Sequence, residues 1–163
     1  MPIVVKGDFR VEKKEVIEFV EVAKKFCSLI ESLTNLKVLD EVPNIAISLS
    51  ELYSKAIKLP QVETESEKLP EINVVRPKIS FGKYECYSEV YEPYSDEESI
   101  NASLTDDILD IYQDVKEGLI LFESNDRNEA IWHWNFSFST HWGSHVVDAL
   151  RALHSIMFSF YNL

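Results

Sequence analysis

Apolar residues return at every third and fourth position over several separate stretches of this chain, and that rhythm restricts it to packed helices. From Glu12 to Leu33 the apolar set is Val16, Phe19, Val20, Ala23, Phe26, Cys27, Ile30 and Leu33, with Glu12, Glu15, Glu18, Lys24, Lys25 and Glu31 outside the stripe. The pattern predicts an amphipathic helix of about six turns. After a short turn, Ile45, Leu49, Leu52, Tyr53, Ala56 and Leu59 predict a second helix. Pro43 suits its first turn and Pro60 ends it. In the third stretch Leu104, Ile108, Ile111, Tyr112, Val115, Leu119 and Phe122 share an arc of about 100°. Ser103 or Thr105 is placed to cap it, Asp106 and Asp107 suit the positive end of its dipole, and Gly118 allows close approach of a neighbour.

A turn over Ser124–Asn128 leads to a final helical region from Asn128 to Tyr161. Its face carries Ile131, Trp134, Phe138, Trp142, Val146, Ala149, Leu153, Ile156 and Phe160. Unbroken, it would run about 50 Å against neighbours of about 30 Å, so a bend or break is expected near Ser137–Gly143, where helix propensity is weakest. Residues 60–78 combine prolines and glutamates with little periodicity, and an exposed, mobile connection is expected there. Phe81, Tyr84, Tyr87, Tyr91 and Tyr94 then recur at helix-like spacing and predict a short helix over 79–90, with Gly82 and Pro93 opposing it. Residues 95–103 are acidic and turn-rich. The expected fold is all-α: one domain over 1–163, a four-helix-type bundle with an additional short helix and an irregular insertion at 60–102, between the second and third long helices.

Composition removes several function classes. The chain has 163 residues, and 16 basic against 28 acidic residues give a net charge of −12. That argues against binding nucleic acid or anionic lipid, both of which call for a basic surface. No run approaches the roughly 18 apolar residues of a membrane span, and Met1–Arg10 lacks the apolar core of a secretory signal. Cys27 and Cys86 are the cysteines, read as reduced thiols in a cytoplasmic protein. The partners expected are another protein or a second copy of the chain.

The polar residues able to carry chemistry fall on two helices. Asp107, Asp110 and Asp114 lie along one edge of the third stripe, and His141, His145 and Asp148 along the last. Such spacing projects carboxylates and imidazoles from one face, as divalent-metal sites in helical bundles require, and a bound ion there would activate water for hydrolysis. No His-Glu-x-x-His motif or cysteine pair adds support. The simpler reading is an ion-pair network in which Asp107 or Asp114 meets His145 or Arg151 across the helix interface. Trp134 and Trp142 belong to the core face, whereas Trp132 lies on the opposite flank with Leu150 and Tyr161. There it is either covered by the 79–94 aromatic segment, the favoured reading, or forms an exposed strip with a binding role. No serine lies in a nucleophile elbow and no glycine loop is built to cradle phosphate.

Ser103-Leu104-Thr105-Asp106-Asp107, Asp110-Ile111-Tyr112 and Asp114-Val115-Lys116-Glu117-Gly118-Leu119 resemble an uncharacterised bacterial family catalogued as domain of unknown function 5063. Further resemblance lies in Trp132-x-Trp134, His141-Trp142-Gly143-x-His145, Asp148-Ala149-Leu150-Arg151-Ala152-Leu153-His154 and the tyrosine-rich run at 87–94. The resemblance covers mainly 84–154, implies an all-helical bacterial protein, and supplies no activity. It points to Asp107, Asp110, Asp114, His141, His145 and Arg151 as residues to test. Two functions are therefore expected. The first is a non-enzymatic interaction module without cofactor, engaging a partner through Trp132, Tyr91, Tyr94 and Arg151. The alternative is a divalent-metal-dependent hydrolase using the aspartates and histidines.

Overall fold

A computed structural model describes residues 13–34, 36–68 and 71–159. The readings made on Met1–Arg10, Phe160 and Tyr161 lie outside the described residues. Helices dominate: α1 (Lys14–Ser32), α2 (Val42–Ala56), α3 (Leu104–Glu123), α4 (Arg127–Ser137) and α5 (Gly143–Phe158). Each periodic stripe is the face that disappears from solvent. Val16, Phe19, Ala23, Phe26 and Ile30 of α1 meet Ile45, Leu49 and Leu52 of α2, Ile108, Ile111 and Val115 of α3, and Val146 and Leu153 of α5 in one core. Among the described residues no helix is long and apolar enough to cross a membrane.

Where propensity falls, the last helical region changes its hydrogen-bonding pattern and stays helical, without the break expected there. Between α4 and α5, Phe138–Trp142 forms a wide turn of π type, closed by Gly143 N–H donating to the Phe138 carbonyl. A Cβ at Gly143 would stand 2.4 Å from that carbonyl oxygen, so glycine is the residue that lets the turn close. The turn keeps both tryptophans inward. Trp134 and Trp142 are fully buried and pack on Phe19, with ring centroids 4.8 and 6.3 Å away. Trp134 Nε1–H donates to the Val115 carbonyl at 3.1 Å, an approach that only a glycine at 118 permits.

The segment before α3 departs from expectation. The short helix predicted over 79–90 is instead a single 3-10 turn, Gly82–Tyr84, followed by a strand, β1 (Cys86–Glu89). β1 pairs antiparallel with β2 (Ile100–Ser103), Cys86 opposite Ser103 and Glu89 opposite Ile100. The helix-like spacing of the aromatics misled because they do not share a face. Phe81 enters the core, Tyr84 and Tyr87 lie half-buried, and Tyr91 and Tyr94 stand 75% and 98% exposed in the connecting loop. Gly82 has φ +56, which a right-handed helix running through 79–90 does not admit. Glu85 then fastens the hairpin to α3. Its carboxylate accepts from the hydroxyls of Ser103 and Thr105, while Ser103 Oγ caps α3 by accepting from Asp106 N–H. Burial alone would raise the Glu85 carboxyl, but these bonds and those from the Phe81 and Thr105 amides hold it below its ordinary value.

Residues 60–68 and 71–78, within the stretch expected to be a loose connection, form an extended strap tied to the helices. The Asn135 side chain donates to the Pro60 carbonyl at 2.6 Å, and buried Glu129 accepts from Thr64 Oγ1 at 2.8 Å and from Glu65 N–H at 2.7 Å. Ile72 and Val74 pack on the core, and Ile79 and Phe81 enter it.

Candidate functional site

The edge of α3 that carries Asp107, Asp110 and Asp114 faces the His141 and His145 edge of the final helical region. His145 Nδ1 lies 2.7 Å from Asp107 Oδ1, and His141 Nδ1 lies 2.7 Å from Asp114 Oδ2. An ionised carboxylate only accepts, so both rings carry a proton on Nδ1, and in the neutral ring the lone pair falls on Nε2. Both Nε2 atoms converge on one oxygen, Asp110 Oδ2, at 3.9 Å from His141 and 3.7 Å from His145. The rings stand nearly perpendicular, with centroids 4.8 Å apart. Asp110 has its other oxygen occupied: Oδ1 accepts from Arg76 Nη2 at 2.8 Å, while Arg76 Nε donates to Gln113 Oε1 at 2.6 Å.

Asp107 is buried and anchors a second arm of the network. Its Oδ2 accepts from the Tyr87 hydroxyl, which also lies 3.2 Å from Glu89 Oε2. Burial and this bond to Asp107 push the Tyr87 phenol far above its ordinary value. The hydrogen bond to Asp107 raises His145, and burial only partly opposes that rise. Beyond Tyr87, Asp148 is pushed up to about 6 by burial and then by the neighbouring charges of Glu89 and Asp107.

The structure therefore joins Asp107, Asp110, Asp114, His141 and His145 and separates the other candidates from them. Asp148 is hydrogen-bonded to Glu89 and feels the charges of Asp107 and His145, but it is not one of the groups whose ligand atoms converge. Arg151, expected to pair with Asp107 or Asp114, is exposed and makes no ion pair among the described residues. Trp132 is not covered by the 79–94 segment, whose Lys83, Tyr84, Cys86 and Tyr87 line a depression against Ala152 and Ile156 of α5. Trp132 stacks on Phe136 at 5.1 Å and borders a groove of about 460 Å³ with Ile57, Gln61 and Val62. Sequence reasoning missed Arg76, Tyr87 and Glu89 as members of the network. The one signal the sequence offers is that Arg76 is the lone arginine of the 60–102 segment, and nothing in its local pattern says where the strap lies.

A second acidic group, Asp114, Glu117 and His133, also lies close together. There His133 Nε2 is 3.1 Å from the Asp114 backbone carbonyl, which only accepts, so that nitrogen is a donor and no ligand.

The model of the family described as Domain of unknown function (DUF5063) matches residues 10–159. The chain belongs to this family. Among solved structures, this DUF5063 protein is similar to protein BF1032 from Bacteroides fragilis, a Northeast Structural Genomics Consortium target. The two are 26% identical with a TM-score of 0.71, over 92% of this chain and 96% of that one. None of the curated proteins compared with the chain matches it.

Proposed function

We propose that this DUF5063 protein holds a divalent metal ion on His141 Nε2, His145 Nε2 and Asp110 Oδ2, and uses it to activate water for hydrolysis. The supporting observation is that every ligand has its other polar atom held: Asp107 on His145, Asp114 on His141, Arg76 on Asp110. Carboxylates that hold the far nitrogen of an imidazole fix its tautomer and aim its lone pair, as the outer partners of metal ligands do. A network serving stability alone does not require both Nε2 atoms to point at one oxygen. Two imidazoles and a carboxylate on one side leave coordination positions open, and the His141 side chain is 47% exposed toward solvent. The scaffold is read as a four-helix-type bundle in a single domain, with α1, α2, α3 and the α4–α5 rod, joined through the π-type turn, as its members.

A second reading, an interaction module, draws support from the Trp132–Phe136 stack, because Phe136 is 54% exposed beside the groove. It would act through a protein partner or a second copy, in the cytoplasm.

Thermal melts with Mn²⁺, Zn²⁺ and chelator separate the two. Metal in excess should stabilise the fold through mass action, by about 2.7 kcal/mol at a hundredfold excess over Kd, and raise Tm accordingly. The rise should vanish in His141→Ala and Asp110→Asn. An unchanged Tm in every metal contradicts the proposal.

A further inference from the structure

We propose that the metal-loaded centre binds a small oxyanion group, a carboxylate or a phosphate, bridging the ion and the Arg76 guanidinium. The inference rests on the metal reading above and adds the ligand class. Asp110 itself shows the arrangement. Its Oδ2 faces the two imidazole Nε2 atoms at 3.7 and 3.9 Å, and its Oδ1 takes the Arg76 hydrogen bond at 2.8 Å. An ion held on the two Nε2 atoms and Asp110 Oδ2 would therefore share one carboxylate with the guanidinium. Two cationic groups spaced to share one pair of oxygens on a common atom are spaced to share a second.

Arg76 is prepared for that role. A guanidinium presents five N–H donors in a planar fork that matches carboxylate and phosphate. Here Nε is held by Gln113 Oε1 and Nη2 by Asp110 Oδ1, which sets the plane of the fork. Nη1 has no hydrogen bond among the described residues. On either side of Arg76 the strap is fixed by Val74 and Ile79, packed on or within the core. Approach from solvent is open, with 39% of the Arg76 side chain and 47% of His141 exposed.

Charge sets the condition for binding. The protein carries a net −12, and Asp110 already neutralises Arg76, so an anion meets no net attraction at the guanidinium alone. A divalent ion reverses that balance at contact distance. Asp107 and Asp114 lie on the Nδ1 sides of the rings, opposite the Nε2 atoms that would hold the ion. Anion binding should therefore require the metal.

The test uses the full chain at saturating Mn²⁺, titrated with inorganic phosphate and separately with acetate, and read by water-proton relaxation and calorimetry. Uptake of Mn²⁺ is measured first, without anion, so failure of the metal reading shows itself independently and takes the bridge with it. In the loaded protein one or both anions should bind and displace water from the ion. Phosphate alone assigns a phosphate group, acetate alone a carboxylate, and both the shared oxyanion chemistry. Arg76→Ala at saturating Mn²⁺ should weaken anion binding about tenfold or more, as loss of a charge-assisted hydrogen bond does. Arg76→Lys, which keeps the charge and loses the fork, should fall between. Binding of neither anion to the loaded protein, equal binding to Arg76→Ala, or equal binding to chelator-treated protein overturns the proposal.

Discussion

Replacing Asp148 by Asn should stabilise the metal-free protein at neutral pH, with an effect that disappears in acid. In the fold the Asp148 carboxyl is raised from its ordinary 3.8 to about 6, first by burial and then by Glu89 and Asp107. Tyr87 and His145 complete its charged and titratable surroundings, and His145 is the one that opposes the rise. A folded value above the unfolded one means that the folded state holds the proton more tightly. That contribution is complete below 3.8 and is lost as pH climbs to about 6; beyond it, the ionised Asp148 burdens the fold. The difference corresponds to about 3 kcal/mol at 1.36 kcal/mol per pH unit, and screening at this half-exposed site reduces it to about 1–2 kcal/mol. Asn resembles the protonated acid, and its amide can still donate to Glu89. At this chain length such a gain raises Tm by about 3–6 °C. Melts of wild type and Asp148→Asn with chelator should show that gap at pH 7.5 and near coincidence at pH 4. Equal melting at pH 7.5, or a gap as large at pH 4, would refute the reasoning.

Gly118→Ala sets helix propensity against packing. Propensity alone favours Ala by about 1 kcal/mol. The added Cβ, however, would lie 1.9 Å from Nε1 of Trp134, a fully buried ring held by its bond to the Val115 carbonyl. Packing should win, with a net loss of about 3 kcal/mol read as a lower urea midpoint; an unchanged midpoint contradicts the close approach. The two thiols should separate cleanly under a disulfide reagent at pH 8. Exposed Cys86 should react at once, while Cys27, buried and pushed up to about 12 by that burial, should wait for denaturant. Fast modification of both would show that the α1 stripe is not closed.

The helices were legible because burial forces their rhythm: Phe19, Ile111 and Leu153 recur at the spacing that one buried face requires. The irregularity at Phe138–Trp142 was legible from weak helix propensity, but the length argument for a break fails: the backbone stays helical from Arg127 to Phe158. β1 was not legible. Tyr84, Tyr87, Tyr91 and Tyr94 mimic helical spacing by coincidence, and β1 finds its partner, Ile100–Ser103, across an exposed loop that carries no hairpin signal. At the site, i, i+3 and i+4 intervals put Asp107 and Asp110 on one edge of α3 and His141 and His145 on one edge of the last helical region. They could not show which ring nitrogen meets which oxygen. Arg76 escaped notice because a strap held by Glu129, Asn135 and Asp110 has no period of its own; its path is set by tertiary hydrogen bonds.

The most direct test is a crystal structure of the protein grown with Mn²⁺ or Zn²⁺, with anomalous data collected at the metal edge. A single strong peak should lie about 2.0–2.2 Å from His141 Nε2, His145 Nε2 and Asp110 Oδ2, with both Nδ1 contacts intact. No peak there, or a peak only among Asp114, Glu117 and His133, would contradict the account.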